Sequence, residues 1–394
     1  MARFSMGEIA RGLDNREFIL YYQPRTSLFT NRIVGAEALA RWRRPDGSVM
    51  LPASFIPVAE RSTLIKDLTL QLLSQLVHDL IDLGPDTGLC ISFNVTAQDF
   101  EDDTLNKAIF DAIDRQHLPP ECFELEITET QALEAGDHVL RRVQELSDAG
   151  VGLAMDDYGI GYSSMDTLSQ WPFTTIKLDQ GIVGRMLGSG KNAAIVRSSI
   201  RLGHELGLNV VAEGVETRGQ HDFLVESGCK LIQGYLVSPP LPLDEFRIFR
   251  NKAGRCRAFP IGLVHMAIID HVQWRRQMAS YGLQRAMLPS DSQARLSQGY
   301  PPLCVTECAL GKWYYGEGRY FEGTPMYQAL DVPHRDLHRI GEAIVKKVRA
   351  GATRLDLDPL LMHLKFVSTE LIRLLEDLED EGLQALYAEA TTCC

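Results

Sequence analysis

Residues 151–161 read VGLAMDDYGIG, an apolar run that ends in two adjacent carboxylates, Asp156 and Asp157, and continues into a glycine-bearing loop. Neighbouring side chains of a strand point to opposite faces, so both carboxylates can reach one site only where the strand ends and the backbone turns. This arrangement favours a corner that binds a divalent metal ion. An Asp-rich turn that caps a helix starting near Ser163 is the alternative, because turn-residue preferences fit it equally well. Further acidic residues converging here would decide between the two.

Short β-branched or apolar runs alternate with helical patterns from Phe18 to about Pro240. The predicted strands are Phe18–Gln23, Ile33–Leu39, Leu89–Val95, Phe123–Thr128, Val151–Asp156, Thr174–Leu178, Asn209–Glu213 and Cys229–Gln233. Apolar residues at three- and four-residue spacing predict helices over Thr63–Leu83, Leu105–Arg115, Gly136–Ala149, Asn192–Leu206 and Arg218–Glu226. Eight strands separated mostly by helices predict an α/β fold, a (β/α)8 TIM-type barrel with parallel strands buried on both faces.

Polar side chains stand at or near the end of most of these strands. They are Glu37, Asn94, Glu126, Glu129, Asp156, Asp157, Lys177, Asp179, Glu213 and Gln233. A barrel brings its strand ends to one rim, where such folds build active sites. Any one acidic residue is more often an ordinary surface residue, but the whole set predicts a pocket. Carboxylates and one amide, without His or Cys, favour Mg²⁺ or Mn²⁺ over Zn²⁺.

The same residues carry a resemblance to a known family. The motifs are Glu37-Ala-Leu39 with Arg41-Trp42, Asn94, Glu126-Ile-Thr-Glu129, Asp156-Asp157-Tyr-Gly-Ile-Gly, Lys177-Leu-Asp179, Glu213-Gly-Val-Glu216 and Gln233-Gly. Over about residues 1–248 they resemble the EAL domain family, the cyclic di-GMP phosphodiesterases. The resemblance implies metal ligands at Glu37, Asn94, Glu126, Asp156 and Asp157, with Asp179 close to the metals. Two Mg²⁺ or Mn²⁺ ions about 3.5–4 Å apart could then support an in-line phosphodiester cleavage.

The resemblance also implies roles for the remaining rim residues. Lys177 would contact the region of the catalytic water, Glu213 would act as base or water-orienting group, and Glu37 would join them in catalysis. Glu129 would anchor the loop Tyr158–Ser164. Substrate-binding roles are expected for Gln23, Arg41, Gln233 and Glu216, although a structural role for Gln23 is nearly as plausible. Arg41 and Lys177 supply positive charge for phosphate oxygens.

The character of the sequence changes after Pro239, and helical periodicity predicts a small bundle from Leu263–Leu283, Met326–Ala350 and Leu357–Leu386. His334 and His338 are four residues apart and share a helix face, which indicates a metal site or a hydrogen-bond network unless the pair is exposed. With His271 and Cys308 they could close a tetrahedral zinc site.

This region is similar to the chemoreceptor zinc-binding domain over about residues 262–345, through the motifs Cys308-x-x-Gly-Lys-Trp and His334-x-x-x-His338. His265 in place of His271, and Cys304 in place of Cys308, remain alternative ligands. The predicted organisation is therefore an EAL barrel over residues 1–250, a linker over 251–261 and a zinc-binding helical regulatory domain over 262–394. Zinc there could serve sensing or could only hold the helices together.

Bulk properties limit the remaining classes. The 394 residues carry a net charge of −12 and a pI near 5.4, which argues against a protein that binds polymeric nucleic acid. Neither a membrane-spanning apolar run nor a signal-peptide pattern is found in the sequence, so a cytoplasmic protein without a membrane partner is expected. The leading prediction is metal-dependent hydrolysis of cyclic di-GMP to linear pGpG by a homodimer. The alternatives are a non-catalytic cyclic di-GMP receptor and a signalling scaffold.

Overall fold

A computed structural model describes residues 4–84, 88–159, 165–252, 261–287 and 299–390. The chain divides into two units. The first comprises residues 1–224 and 229–258, and the second comprises residues 225–228 and 259–394. Residues 253–260, which make up most of the predicted linker, lie outside the described residues.

Runs rich in β-branched and aromatic residues form the strands of the first unit. Within the described residues these are β1 (Phe18–Ser27), β2 (Ile33–Arg43), β3 (Val49–Met50), β4 (Cys90–Asn94), β5 (Phe123–Thr128), β6 (Gly152–Tyr158), β7 (Thr175–Leu178), β8 (Asn209–Ala212) and β9 (Leu231–Gln233). They pair in the order β1-β9-β8-β7-β6-β5-β4-β2-β3, and β1 also pairs with β2. Eight strands thus close into the predicted barrel, and β3 extends β2 as a short hairpin.

The first strand corrects the prediction of an all-parallel barrel. β1 runs antiparallel to both of its neighbours, β2 and β9. The reason is the short connection between Ser27 and Ile33: an antiparallel pair can be joined by a tight hairpin, whereas parallel strands need a crossover of roughly a dozen residues or more. The other barrel strands pair in parallel, so their carboxyl ends share one rim.

The five helices predicted for this unit are confirmed, with bounds that agree to within two residues. Helices of the barrel unit are α1 (Met6–Asp14), α2 (Ile56–Ala59), α3 (Leu64–Leu83), α4 (Thr104–Gln116), α5 (Glu129–Glu134), α6 (Asp137–Asp148), α7 (Met165–Gln170), α8 (Gln180–Arg185), α9 (Gly190–Leu206), α10 (Arg218–Glu226) and α11 (Leu243–Lys252). Short helices such as α5 and α8 follow strand ends directly and therefore place their first residues at the rim.

The second unit is helical, as predicted. Its described helices are α12 (Ile261–Met287), α13 (Ala309–Tyr315), α14 (Pro325–Ala329), α15 (Asp331–Arg349) and α16 (Arg354–Ala390). The helix predicted over Met326–Ala350 is divided into α14 and α15 at Leu330, because Pro333 has no N–H to donate to the carbonyl of Ala329. α12 and α15 both pack against α16.

One stripe of α16 belongs to the core of the second unit. Its buried apolar residues recur at three- and four-residue spacing and are Leu357, Leu364, Val367, Leu371, Leu375 and Leu378. The opposite face exposes Leu355, Met362 and Phe366. The predicted amphipathic pattern is therefore accounted for by packing within the unit.

Candidate functional site

The carboxyl ends of the parallel strands bring the predicted acidic residues together. In the register of the barrel, Asn94 of β4 pairs with Glu126 of β5, and Thr128 of β5 pairs with Asp156 of β6. Paired residues of neighbouring strands point to the same face of the sheet, and so do residues two apart on one strand. The side chains of Asn94, Glu126 and Asp156 therefore line the same end of the barrel interior. The acidic rim therefore follows from strand register.

Lys177 of β7 lies at the centre of this rim. Its side chain is almost fully buried, with 1% of the residue exposed. The ammonium Nζ lies 2.7 Å from Glu126 Oε2, 2.7 Å from Glu213 Oε1, 3.1 Å from Asp156 Oδ1 and 3.4 Å from Glu37 Oε2. One cation thus faces four carboxylates, which leaves the cluster with a surplus of negative charge if all four ionise. Such a surplus favours further cations or protons.

The pKa values of the rim residues reflect a competition between burial and the charges of neighbouring groups. Burial opposes the charged ammonium of Lys177, but the carboxylates around it raise its pKa well above the usual range. Burial, reinforced by the nearby Glu37 carboxylate, raises the pKa of Glu126 well above its usual range. Burial also raises the pKa of Glu213 to about 7, although Lys177 counteracts it. Both carboxyl groups therefore hold their protons more tightly than a free glutamate does, and added cations would oppose this.

Glu37 is held from both sides by amide groups. Asn94 Nδ2 donates to Glu37 Oε1 at 2.9 Å, and Gln233 Nε2 donates to Glu37 Oε2 at 2.6 Å. Gln233 Nε2 also lies 3.1 Å from Gln23 Oε1. Burial opposes the charge of Glu37, but Lys177 and the two amides lower its pKa. Gln23, which the sequence placed at the end of its strand, lies within β1 directly opposite Glu37.

The paired aspartates lie at an irregularity of β6 and not at its end. The strand continues to Tyr158, and its register with β7 shifts between Met155 and Tyr158. Asp157 adopts the left-handed conformation, with φ of 59°, which re-aims a side chain that regular pleating would send to the opposite face. Burial, and then repulsion from Asp156 and Asp179, raises the pKa of Asp157. Residues 160–164 of the predicted loop lie outside the described residues.

Asp179 and Glu129 lie where strands turn into helices. Asp179 Oδ1 caps α8 by accepting the backbone N–H groups of Gly181 at 2.9 Å and Ile182 at 3.2 Å. Glu129 is buried as the first residue of α5, which Thr128 caps. Both carboxylates therefore benefit from the positive end of a helix.

Two predicted substrate-binding residues have different surroundings. Arg41 is buried, its Nη1 donates to Ala40 O at 2.8 Å, and its guanidinium lies 5.6 Å from the centroid of the Tyr21 ring. Glu216 is exposed, and among the described residues no hydrogen bond or ion pair joins its side chain to the rim. The structure thus does not bring Glu216 into the cluster.

A second charged layer lies in the barrel interior below the rim and was missed by the sequence reasoning. Arg25 Nη1 lies 2.5 Å from Glu124 Oε2, and Thr175 Oγ1 donates to the other oxygen of Glu124. Glu124 is two residues before Glu126 on β5, so the period of the strand already places both on the same face. Burial opposes the ionisation of Glu124, but Arg25 lowers its pKa. Arg25 also adds positive charge beneath Glu126.

A cavity of about 380 Å³ opens beside Glu37 and Asn94. Apolar residues from several elements form most of its wall, including β2, α3 and the segment from Pro52 to Pro57, and Glu60, Thr69 and Gln131 add polar groups. A mostly apolar cleft with a few polar groups is typical of a small-molecule site. It places a compartment for a bound molecule directly against the acidic rim.

The second unit gathers three of the four predicted zinc ligands. Cys308 Sγ lies 3.3 Å from His334 Nε2 and 3.3 Å from His338 Nε2, and all three residues are buried. His334 and His338 belong to α15, whereas Cys308 caps α13. These are the residues, among those described, whose Cys and His atoms meet closely enough to hold one metal ion.

The surroundings of this cluster orient its donor atoms. His338 Nδ1–H donates to Leu303 O at 2.8 Å, which leaves the Nε2 lone pair directed at Cys308. Gly311 N–H donates to Cys308 Sγ at 3.2 Å. A Cβ at Gly311 would lie 1.8 Å from Val305 O, which explains the glycine of the Cys-x-x-Gly motif. Burial raises the pKa of the Cys308 thiol to about 11 and lowers that of His334 to about 3.

The other candidate ligands lie apart from these three. His271 is buried and lines the same small cavity, but its Nε2 lies 2.8 Å from Ser368 Oγ. His265 is exposed and contacts Glu379 Oε1 at 3.1 Å. Cys304 is also exposed, and its Sγ lies 3.1 Å from Thr306 Oγ1.

The two donor sets fit different metals. The rim offers hard carboxylate and amide oxygens, and the buried Glu126 Oε1 has no hydrogen-bond partner among the described residues; this set suits Mg²⁺ or Mn²⁺. The thiol and imidazoles suit Zn²⁺, whose structural sites take four such ligands. His334 Nδ1 is buried without a hydrogen-bond partner among the described residues, so no hydrogen bond at Nδ1 fixes which ring nitrogen of His334 carries the proton.

The fold and the site thus define a mixed-topology barrel with an acidic rim of carboxylate and amide groups, and a helical unit with a buried thiol–imidazole cluster. Residues 6–240 match the model of the EAL domain, and the chain belongs to the EAL domain family. Residues 271–345 match the chemoreceptor zinc-binding domain. Both resemblances noted in the sequence are thereby confirmed.

Curated relatives match the barrel part of the chain. The chain is 40% identical over 245 residues to the cyclic di-GMP phosphodiesterase RocR of Pseudomonas aeruginosa, covering 61% of this chain and 62% of RocR. It is 34% identical over 241 residues to the bifunctional diguanylate cyclase/cyclic di-GMP phosphodiesterase MucR of the same species, covering 60% of this chain and 35% of MucR. The chain thus spans less than two thirds of the length of each of these relatives.

Solved structures share the barrel. The PaMucR phosphodiesterase in complex with c-di-GMP has a TM-score of 0.56 and 33% identity, covering 61% of this chain and 98% of that one. The EAL enzyme Bd1971 in its cAMP and cyclic-di-GMP bound form has a TM-score of 0.59 and 28% identity, covering 62% of this chain and 67% of that one.

Among the described residues, none of the helices combines the length and the apolar character that a membrane span requires.

Proposed function

We propose that this protein hydrolyses one phosphodiester bond of cyclic di-GMP and releases linear pGpG. The observation that carries the proposal is the complete acidic rim around Lys177, next to a cavity for a small molecule. The names of RocR and MucR as cyclic di-GMP phosphodiesterases, together with the c-di-GMP complex of PaMucR, support the choice of substrate.

Two divalent ions, Mg²⁺ or Mn²⁺, are proposed as cofactors of the rim. Their ligands would be Glu37, Asn94, Glu126, Asp156 and Asp157, with Asp179 close by. When bound, such ions supply Lewis-acid stabilisation of the charge that develops on phosphate oxygens. The surplus of carboxylates over buried cations in this cluster supports the proposal, because burial and repulsion between the carboxylates raise the pKa values of Glu126 and Glu213 and added cations would relieve that repulsion.

The protein's own groups would divide the remaining work. Glu213 is suited to accept a proton from the attacking water, because it lies at the rim and Lys177 Nζ holds its carboxylate in place at 2.7 Å. Asn94 and Gln233 keep Glu37 oriented. Arg41 would offer positive charge to a phosphate, and Gln23 and Gln233 would contact the substrate, whereas Glu216 would reach it only from outside the cluster. Glu129 would anchor the loop that follows Asp157.

We further propose that residues 1–250 form the catalytic domain, 251–261 a linker and 262–394 a zinc-binding regulatory domain. The proposed ligands of one Zn²⁺ ion in that domain are Cys308, His334, His338 and His271. A homodimer in the cytoplasm is the proposed state of the protein, with neither polymeric nucleic acid nor a membrane as a partner. The thiol–imidazole cluster and its match to the chemoreceptor zinc-binding domain support the metal assignment.

The test is incubation of the purified full chain with cyclic di-GMP and either Mg²⁺ or Mn²⁺, followed by chromatography of the products. We expect linear pGpG in amounts that depend on the metal and on Glu37. Binding of cyclic di-GMP without hydrolysis in the presence of metal would instead indicate a non-catalytic receptor, the main alternative function.

A further inference from the structure

Ser368 provides an unexpected contact for the predicted zinc ligand His271. Ser368 lies on α16, beyond the residues 271–345 that match the zinc-binding domain, and it is fully buried. Its Oγ lies 2.8 Å from His271 Nε2, and Arg275 Nη1 donates to the same oxygen at 3.2 Å. His271 and Arg275 are four residues apart on α12 and therefore share a face.

The hydrogen-bond capacity of the serine hydroxyl determines what this contact does. A hydroxyl has one proton and two lone pairs. Ser368 Oγ accepts from Arg275, and it either donates its proton to the lone pair of His271 Nε2 or accepts from His271 Nε2–H, according to the tautomer of the ring. A ring nitrogen that carries a proton or accepts a hydrogen bond has no free lone pair for a metal ion, so Ser368 engages Nε2 in both tautomers. Cys308, His334 and His338 meanwhile meet one another without His271.

We propose that Ser368 is a positioning residue of the zinc site. It holds His271 Nε2 apart from the Cys308–His334–His338 cluster, and zinc binding moves His271 off Ser368 and into the cluster. Zinc uptake then breaks the Ser368–His271 hydrogen bond and alters the contact between α12 and α16. Occupancy of the site is thereby coupled to a helix that contributes no ligand. This inference rests on the zinc site proposed above.

Zinc affinity of the metal-free full chain, measured by competition with a chromophoric chelator, tests the proposal. Ser368→Ala should bind zinc about three- to tenfold more tightly, since His271 no longer has to give up a neutral hydrogen bond. Ser368→Thr keeps the hydroxyl and should restore the original affinity. Thr369→Ala is the matched control, because Thr369 is exposed on the same helix and its hydroxyl donates to Lys365 O.

The visible spectrum of the cobalt-substituted full chain gives a readout that does not depend on Ser368 variants folding. We expect the intense bands of a four-coordinate site in the wild type and weaker bands in His271→Ala. In a separate measurement of zinc affinity, adding Ser368→Ala to His271→Ala should have no effect. Unchanged or weaker zinc binding by Ser368→Ala, or a spectrum unaffected by His271→Ala, would overturn the inference. A wild type that binds no zinc would overturn the zinc site itself.

Discussion

The barrel rim contains its own buried cation, whereas the Cys308–His334–His338 cluster consists of groups that are neutral near pH 7. In the rim, Lys177 Nζ lies within 3.4 Å of four carboxylates and partly neutralises them. In the cluster, burial raises the pKa of Cys308 to about 11 and lowers that of His334 to about 3. The rim carboxylates thus have a built-in counter-charge, whereas the cluster has none and zinc must displace its thiol proton. The two sites should therefore respond differently to metal loss.

The largest expected effect is that of removing the rim's own cation. Lys177→Met should lower the free energy of unfolding of the metal-free barrel by about 3–5 kcal/mol, because it leaves buried carboxylates without their partner. Added Mg²⁺ should recover part of this loss. Denaturant unfolding of the metal-free and Mg²⁺-loaded protein measures both effects, and the exposed Lys191→Met is the control. Equal stability of Lys177→Met and the wild type without metal would show that Lys177 does not stabilise the rim carboxylates.

Removal of a proposed metal ligand should affect activity more than folding. Glu37→Gln keeps the shape of the side chain but removes a charge, and we expect the hydrolysis rate to fall by roughly 10²- to 10³-fold, the usual effect of losing several kcal/mol of transition-state stabilisation. Initial rates with cyclic di-GMP check this. Glu134→Gln, an exposed position at the end of α5, should stay within about twofold of the wild type. A comparable loss in both variants would contradict a specific role for the rim.

A smaller effect should appear in the pH dependence of the metal-free helical unit. Burial lowers the pKa of His271 to about 4 and that of His334 to about 3, whereas unfolded histidines titrate near about 6.5. The unfolded state therefore binds more protons between these values, so stability is full above about pH 6.5 and declines as pH falls toward 4. Each of the two histidines should contribute about 2 kcal/mol to the difference in unfolding free energy between pH 7.5 and pH 5.

The exposed His363 provides the control for this titration. His363→Gln should leave the pH dependence unchanged, whereas His334→Gln should reduce it. Stability that is constant between pH 7.5 and pH 5 would show that the buried histidines do not titrate as the structure indicates.

Much of the fold and of the rim follows from the sequence because strand period and strand ends are local properties. Glu37, Glu126, Asp156 and Glu213 were placed together by the barrel hypothesis, and the structure brings them around Lys177. The direction of β1 could have been inferred from the short connection to β2, but the register shift that re-aims Asp157 could not, since it depends on pairing with β7.

The helical unit was harder to predict in detail. His334 and His338 share a face by their spacing alone, and the structure joins them to Cys308. Ser368 had no local signal, because a single serine on an amphipathic helix acquires a role only through the packing of α16 against α12. The chain alone thus indicates which donor atoms are available, and tertiary contacts decide which of them meet.

We propose that the rim and the cluster bind different metals independently of each other. The direct test is to load metal-free wild type, Glu37→Gln and Cys308→Ala with one equivalent of Zn²⁺ in the presence of a large excess of Mn²⁺, to remove unbound ions and to measure the metal content of each. Glu37→Gln should lose manganese and keep one zinc, while Cys308→Ala should lose zinc and keep its manganese. Loss of both metals in either variant, or zinc retained in full by Cys308→Ala, would contradict it.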